Sequence, residues 1–276
     1  MASVVKCFAI DGIDGYPVDI EIKTLEGQPM ISIIGLGDQA VKEASERVQA
    51  AIDETGYIFP KKRVIISLAP SDKKKSGSHF DLAMAIGVLQ QNEDMAVKNI
   101  SEYGFIGELS LDGRLRACHG ILPMIIAAQR NGIKKVIIPV ENLKEAKLVQ
   151  GVTIIGLQNL SEVVRFLEGK NVDVNRMSDK MEQEDWEKVV DFADVKGQES
   201  VKRALEVAAS GGHNLIMIGS PGSGKSMMAK CMPSILPPLS LGESLETTKI
   251  HSVAGKLGKD SSLIAIRPFR SPHHTI

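Results

Sequence analysis

A glycine-rich stretch at residues 219–226 constrains this chain more than any other feature. It fits the pattern G-x-x-x-x-G-K-[ST], in which backbone N–H groups at the start of a helix surround phosphate oxygens. The apolar residues 215–218 precede it and a helix-compatible run follows it. The sequence therefore predicts a buried strand, a phosphate-binding loop and a helix in succession. The alternative, a chance match in an ordinary Gly/Ser loop, is disfavoured by these flanks.

The residue types of this loop each have a chemical role. Gly222 and Gly224 permit backbone conformations that are closed to other residues, and Lys225 can reach the β- and γ-phosphates of a nucleotide. The Ser226 hydroxyl is the expected Mg²⁺ ligand. We therefore predict binding of ATP with Mg²⁺. The predicted contact residues are Gly219, Ser220, Pro221, Gly222, Ser223, Gly224, Lys225, Ser226 and Met227.

Composition and charge are those of an ordinary soluble protein. The 276 residues are 43% hydrophobic and 24% charged, and the net charge of −1 gives no overall attraction to nucleic acid or to membranes. The cysteines, Cys7, Cys118 and Cys231, are too dispersed for a disulfide framework or a cysteine zinc site. The first residues lack a basic segment followed by a long apolar one, so we expect no signal peptide, and no apolar run is long enough to cross a bilayer. We expect a cytoplasmic protein without a membrane partner.

The hydrophobic pattern divides the chain into two domains. Residues 1–168 alternate strands with helices, and the clearest helix, 38–55, combines an Asp38 cap with a terminating Gly56. Its predicted buried stripe is Val41, Ala44, Val48, Ala51 and Ile52. Residues 103–116 are expected to form a hairpin turning at Asp112-Gly113. The polar residues 169–190 are interpreted as a linker, or alternatively as a solvated helix within one domain, and residues 191–276 as a second domain.

Several segments together resemble a known family. The sequence Asp-Phe-Ala-Asp-Val-Lys-Gly-Gln at 191–198, the Gly-Gly-His-Asn-Leu before the phosphate loop and the Arg-Pro-Phe-Arg-Ser-Pro-His-His-Thr at 267–275 resemble magnesium-chelatase-like AAA+ ATPases of the ComM/YifB subgroup. The resemblance covers nearly the whole chain and implies that residues 191–276 begin an α/β P-loop AAA+ domain. It also implies that Val195 and Gly197 lie beside the adenine. The alternative is that these residues form only an ordinary loop leading into a helix.

The first domain resembles the ribosomal-S5-domain-2-like α+β fold of the Lon protease domain. Lon-type proteolysis uses a serine activated by a lysine. Residues 75–80 depart from the protease's serine pattern, and an ungapped alignment places Leu122 at the lysine position. We therefore expect a non-proteolytic domain. Ser78 is instead predicted to be a helix N-cap that forms a capping box with Asp81.

Two further clusters have alternative interpretations. Residues 73–75, three consecutive lysines, form either a solvated loop, which is favoured, or a contact with a phosphate backbone. His273-His274 has the composition of a metal pair, but neighbouring residues of a strand point to opposite faces. A structural or inter-subunit role is therefore favoured over zinc, and no catalytic residue is assigned anywhere in the chain.

A working AAA+ ATPase needs more than a phosphate cradle. It also needs an acidic pair at the end of a second apolar strand, and no such pair follows Ser226. The sensors, arginine finger and helical lid of the family are likewise absent. We expect the N-terminal part of a longer enzyme that would form a homo-oligomeric ring and couple ATP hydrolysis to DNA remodelling during uptake or recombination. The alternatives are a chelatase-type subunit and a non-enzymatic partner-binding module with an inert ATPase remnant.

Overall fold

The computed structural model describes residues 2–92, 99–175, 191–257 and 263–271. Its contacts divide the chain into two compact units, the first comprising residues 1–180 with 248–262 and the second 181–247 with 263–276. Lys249 Nζ lies 2.5 Å from Asp14 Oδ1, and the Gly120 N–H donates to the Ser252 carbonyl (3.0 Å), which joins residues 248–257 to the first unit. Most of the predicted linker, residues 176–190, lies outside the described residues.

A seven-stranded mixed sheet is the centre of the first unit, with the strand order β3-β4-β2-β1-β5-β8-β9. Its strands are β1 (Ser3–Asp11), β2 (Asp14–Leu25), β3 (Met30–Ile34), β4 (Arg63–Ala69), β5 (Tyr103–Phe105), β8 (Lys135–Pro139) and β9 (Thr153–Leu157), while β6 (Glu108–Leu109) and β7 (Leu115–Arg116) form a separate pair. Only the β1–β2 and β2–β4 pairs are antiparallel, so the sheet is mostly parallel. The unit has a mixed α/β architecture.

Helices cover both faces of this sheet and bury two hydrophobic clusters. They are α1 (Gln39–Glu54), α2 (Asp81–Gln91), α3 (Ile121–Arg130), α4 (Leu143–Ala146) and α5 (Leu160–Leu167). On β1, Val5 and Cys7 join the cluster beneath α1 and α2, whereas Phe8 joins the cluster beneath α3 and α4. This division follows from the period of two along a strand, which sends successive side chains to opposite faces.

The prediction for α1 is confirmed in detail. All five residues of the predicted stripe are buried, and the Asp38 carboxylate accepts a hydrogen bond from the Val41 N–H at 3.0 Å. The same carboxylate accepts from the Ser76 hydroxyl at 2.5 Å and from the Gly77 N–H at 3.3 Å. Asp38 therefore caps the helix and holds the loop that leads to α2.

Replacing Asp38 with alanine is expected to lower the free energy of unfolding of the first unit by about 1–2 kcal/mol, because the helix loses its cap and the loop loses two hydrogen bonds. Hydrogen exchange of the α1 amides measures the change. Glu46→Ala, at an exposed position of the same helix, is the matched control and should leave the exchange rates unchanged. An equal loss in both variants would contradict the capping role.

The predicted hairpin is right in one part and wrong in another. β6 and β7 pair antiparallel around a turn in which the Ser110 N–H donates to the Arg114 carbonyl (3.0 Å) and Gly113 has a φ of +77°. Residues 103–105 belong instead to the large sheet, where β5 pairs parallel with β1 and β8. Phe105 is fully buried there, and its apolar side chain explains why these residues join the core.

The second unit is helical in its described residues. It contains α6 (Glu199–Gly211), α7 (Lys225–Ile235) and the start of α8 (Leu241–Val253). A small cluster holds it together, formed by Val195, Leu205, Met228 and Cys231. Among the described helices of the whole chain, none is long and apolar enough to cross a bilayer.

The predicted buried strand at residues 215–218 is wrong for this chain. These residues form no strand, and Ile216 and Ile218 are 83% and 89% exposed. A strand is stable only where a neighbour completes its hydrogen-bond ladder and covers its apolar side chains. The described part of the second unit contains no other strand that could do so.

Candidate phosphate-binding site

The glycine-rich loop leads directly into the N-terminus of α7. Gly222 and Gly224 have φ values of +81° and +84°, so both occupy the left-handed region that favours glycine. Gly224 is the N-cap, and no side chain caps the helix there. The first N–H groups of an α-helix have no partner within the helix and carry its positive dipole end. The sequence thus builds an anion-binding geometry at residues 222–226.

Lys225 closes over the loop that precedes it. Its ammonium group donates to the carbonyl oxygens of Gly219 (2.9 Å) and Ser220 (2.6 Å) and to the Ser223 hydroxyl (3.1 Å). The contacts with the two carbonyls are exposed to solvent, so phosphate oxygens could replace those acceptors without exposing an apolar surface. Ser226 follows on the first turn of α7 and is exposed.

A cleft of about 430 Å³ lies beside this loop, entirely within the second unit. One wall is the segment from Leu215 to Ser220 with Ser223 and Lys225, and the other is the start of α6. The residues contributed by that second wall are Gln198, Ser200, Val201 and Ala204. The cleft therefore combines polar groups at its loop end with apolar side chains along its walls.

The predicted site residues are brought together only in part. Residues Gly219, Ser220, Ser223 and Lys225 line the cleft, whereas Val195 is 6% exposed and packs in the small core cluster. Gly197 has a φ of +71° and precedes the cleft residue Gln198. The α6 wall was missed by sequence reasoning, because its small and polar residues there resemble any exposed helical face. The adenine contacts of Val195 and Gly197 stay a prediction.

Comparisons with known proteins extend across most of the chain. Residues 20–142 match the family described as subunit ChlI of Mg-chelatase, and residues 191–276 match magnesium chelatase, subunit ChlI. The chain is 37% identical to the uncharacterized protein YifB of Escherichia coli and 35% identical to competence protein ComM of Haemophilus influenzae, over 99% of this chain in both cases. An uncharacterized protein of Mycobacterium tuberculosis is 40% identical over 97% of this chain.

The chain belongs to the magnesium-chelatase-like family of YifB and ComM. It spans about half the length of these relatives, 53% of the Mycobacterium and Escherichia proteins and 54% of ComM. A more distant relative, Lon protease of Syntrophomonas wolfei, is 26% identical over 54% of this chain and 20% of the protease.

The predicted helix cap at Ser78 is wrong for this family member. The N-cap of α2 is Phe80, without a side-chain hydrogen bond, and the Ser78 hydroxyl donates to the Glu108 carboxylate. Asp81 does not complete a capping box, because Arg47 binds it through Nε to Oδ2 (2.7 Å) and Nη2 to Oδ1 (3.1 Å). Ser78 and Asp81 therefore bind residues that are distant in sequence instead of forming the predicted helix cap.

The three consecutive lysines do not form a uniformly solvated loop. Lys75 is fully buried, and its ammonium group donates to the carbonyls of Pro70 and Lys73. Lys73 lies over the Tyr16 ring, 4.5 Å from its centroid, and 3.4 Å from Asp11. Only Lys74 keeps the expected exposure, so this segment is held by the protein itself.

The remaining predicted cluster, His273-His274, lies outside the described residues. Within the part of the chain that the structure describes, no group of three or more His, Cys, Asp or Glu side chains is arranged to hold a metal ion. The three cysteines are free thiols.

Proposed function

We propose that this chain binds ATP together with Mg²⁺ at residues 219–226, as the N-terminal part of a magnesium-chelatase-like AAA+ ATPase. The observation that carries the proposal is the uncapped N-terminus of α7, which follows two glycines of positive φ and carries Lys225 over the loop. Membership of the ChlI family supports it. The test is a calorimetric titration with ATP.

The residues of the loop, of the start of α7 and of the cleft would each have a separate role in binding. The N–H groups at the start of α7 would donate to the β- and γ-phosphates, and the Lys225 ammonium would neutralise part of their charge. Ser220, Pro221 and Ser223 would shape the loop, and Met227 would follow it on the helix. The cleft beside α6 would receive the base, and Val195 and Gly197 are proposed to lie beside the adenine.

Ser226 is proposed to hold Mg²⁺ through its hydroxyl while the nucleotide supplies phosphate oxygens. Replacing Ser226 with alanine is expected to weaken Mg–ATP binding about tenfold, the effect of losing one ligand interaction of about 1.4 kcal/mol, and to leave binding of ATP in EDTA unchanged. Ser210→Ala, an exposed change on α6, is the control and should match the wild type in both buffers. An equal loss with and without Mg²⁺ would contradict the ligand role.

Little or no hydrolysis is proposed for this chain. The described residues of the second unit provide no strand beside residues 215–218, which is where an AAA+ domain would place its acidic pair. Absence of ATP binding would favour the alternative of a partner-binding module with an inert ATPase remnant. A Lys225→Ala chain that retains every interaction of the wild type would favour that alternative.

The whole protein is proposed to form a homo-oligomeric ring and to couple ATP hydrolysis to DNA remodelling in uptake or recombination. Support comes from the 35% identity to a relative named competence protein. The second candidate is a chelatase-type subunit that drives metal insertion into a porphyrin, favoured by the two ChlI matches. ATP-dependent DNA binding by the full-length protein would support the first candidate, and stimulation of metal insertion without DNA binding the second.

The first unit is proposed to be a ribosomal-S5-domain-2-like domain, related to the Lon protease domain but without protease activity. The likeness to Lon protease supports the fold. Three features oppose a Ser–Lys dyad: the Ser78 hydroxyl donates to Glu108, the Lys75 ammonium binds backbone carbonyls, and Leu122 is buried in the core.

Casein incubated with this chain and ATP is therefore expected to stay intact, and the Ser78→Ala variant should behave identically. Gel analysis against a trypsin control measures cleavage. Cleavage by the wild type that disappears in Ser78→Ala would contradict the proposal.

A further inference from the structure

The two edge strands of the large sheet, β9 and β3, differ in how their outer hydrogen-bonding groups are paired. At the β9 edge, the Asn175 N–H donates to the Gly156 carbonyl (2.9 Å) and the Asn175 side-chain oxygen accepts from the Gly156 N–H (2.8 Å). Further along, the Leu115 N–H donates to the Gln158 carbonyl (2.8 Å). Part of that edge is thus paired by the chain itself, which protects it from unwanted pairing.

The β3 edge lacks the charged side chains that commonly protect an edge strand. β3 pairs with β4 on one side, and no described strand pairs with its other side. Its five residues, Met-Ile-Ser-Ile-Ile, include no charge and no proline, and Met30 and Ile34 are 50% and 54% exposed. An uncharged apolar edge strand is a template for a further strand.

The apolar residues of β3 are placed symmetrically about its central residue, Ser32. If a second β3 runs antiparallel to the first with Ser32 opposite Ser32, Met30 faces Ile34 and Ile31 faces Ile33 on both sides of the axis. Every apolar side chain then meets an apolar one, with no like charges opposed within the strand. Such self-complementarity is what a two-fold interface between identical chains requires.

We propose that β3 is a homodimerisation edge, where two copies of this chain pair their β3 strands antiparallel across a two-fold axis at Ser32 and join their sheets. The proposal is independent of nucleotide binding. It concerns the first unit alone.

The helix that flanks β3 fits the same arrangement. α1 packs beside α2, which lies over β1 and β2, so α1 lies over the β3 end of the sheet. Adjacent strands are about 4.8 Å apart. Pairing β3 with its copy therefore places the two α1 helices side by side on the same face of the joined sheet. Their axes are then about 10 Å apart, the usual helix packing distance. A groove of about 460 Å³ is lined by residues 29–31 at the start of β3, by Ser45, Gln49 and Asp53 of α1, and by the loop residues 58–61.

Charges at the two ends of α1 support this antiparallel arrangement of the helices, whereas the exposed Glu46 near its middle does not. The row in the groove ends in the exposed Asp53, and the exposed Lys42 lies one turn before Ser45 at its other end. The two-fold axis reverses the helix direction, so the Lys42 end of one α1 approaches the Asp53 end of the other. Opposite charges then meet at both ends of the helix pair.

The test is the mass of the 276-residue chain in solution, measured by sedimentation at several concentrations. The wild type is expected to dimerise. Met30→Lys with Ile34→Lys places like charges opposite each other twice and is expected to weaken the dimer at least about tenfold. Met30→Glu with Ile34→Lys places opposite charges there and is expected to restore it.

The control is Leu111→Lys, a charge introduced at a side chain that is 62% exposed in the β6–β7 turn, which should leave the dimer intact. The same series in an Ile216→Ser, Ile218→Ser background removes the exposed apolar segment of the second unit as a source of association. A monomeric wild type in this background, or a dimer unaffected by the two lysines at β3, would overturn the proposal.

A second measurement fixes the register. Ser32→Cys is expected to form a disulfide-linked dimer on mild oxidation, because residues directly opposite across an antiparallel pair bring their Cβ atoms within about 5.5 Å. Leu111→Cys is the matched control and should stay unlinked. Equal cross-linking of both variants would overturn the proposed register.

Discussion

Replacing Lys225 with alanine is expected to weaken ATP binding roughly 100-fold. In the structure the ammonium group already lies over the loop, 2.6 Å from the Ser220 carbonyl and 2.9 Å from the Gly219 carbonyl. Bound phosphates would receive charge-assisted hydrogen bonds from the same group, and losing about 3 kcal/mol of such contacts corresponds to that factor. Titration calorimetry of the variant with ATP and Mg²⁺ measures the effect.

The matched control is Lys230→Ala. Lys230 lies on the same helix and is exposed, but it is not part of the loop. Its replacement removes the same charge from the same unit. It should bind ATP within about twofold of the wild type. If both variants lost affinity equally, the effect would be general electrostatics rather than a phosphate contact, and the assignment of Lys225 would be wrong.

Replacing Asp81 with alanine is expected to lower the free energy of unfolding of the first unit by about 3–5 kcal/mol. The Asp81 side chain is fully buried, and that of Arg47 is only 20% exposed. The variant would leave the arginine without its carboxylate and the Leu109 N–H without its acceptor, at present 3.2 Å away. Hydrogen exchange of the β1 and β2 amides in urea measures the loss.

A double variant tests whether the ion pair is the cause. Arg47→Met combined with Asp81→Leu replaces both charges with apolar groups and should be less destabilised than Asp81→Ala, since no unpaired charge stays buried. A loss below about 1 kcal/mol in Asp81→Ala would contradict the account, because breaking a buried pair costs more than that.

The pH dependence of the free energy of unfolding also reports on the buried Asp81 carboxyl. Burial raises the pKa of Asp81 from its ordinary 3.8 to about 6, although Arg47 opposes the shift. Between about pH 4 and 6 the folded state therefore binds a proton that the unfolded state releases, so this carboxyl's contribution to the free energy of unfolding decreases as the pH rises. Asp81→Asn should remove that part of the slope.

Local patterns predicted the parts of the fold that depend on neighbours in sequence. The α1 stripe and its Asp38 cap involve residues at most a few turns apart, and both were predicted correctly. The Ser78 cap failed because Glu108 and Arg47, brought near by the fold, bind Ser78 and Asp81 more strongly than the helix end does. No sequence signal links Arg47 with Asp81, since they belong to different helices.

In the candidate site, too, features that depend on neighbours in sequence were predicted, whereas features that depend on packing were not. The spacing of Gly219, Gly224 and Lys225 predicted a loop and a helix start, which depend on backbone conformation alone. The strand at residues 215–218 was predicted wrongly because its stability depends on partner strands, which the described part of this unit does not contain. The α6 wall of the cleft could not be predicted, because packing between helices places it there.

Nucleotide binding by this chain is tested most directly by calorimetric titration of the unmodified chain with ATP and Mg²⁺, with phosphate release followed in the same samples. We expect saturable binding of one nucleotide per chain and no phosphate release above the buffer rate. Absence of binding at millimolar ATP, in a chain whose α7 amides are protected from hydrogen exchange, would contradict this expectation, since a folded loop and helix would then fail to hold the nucleotide.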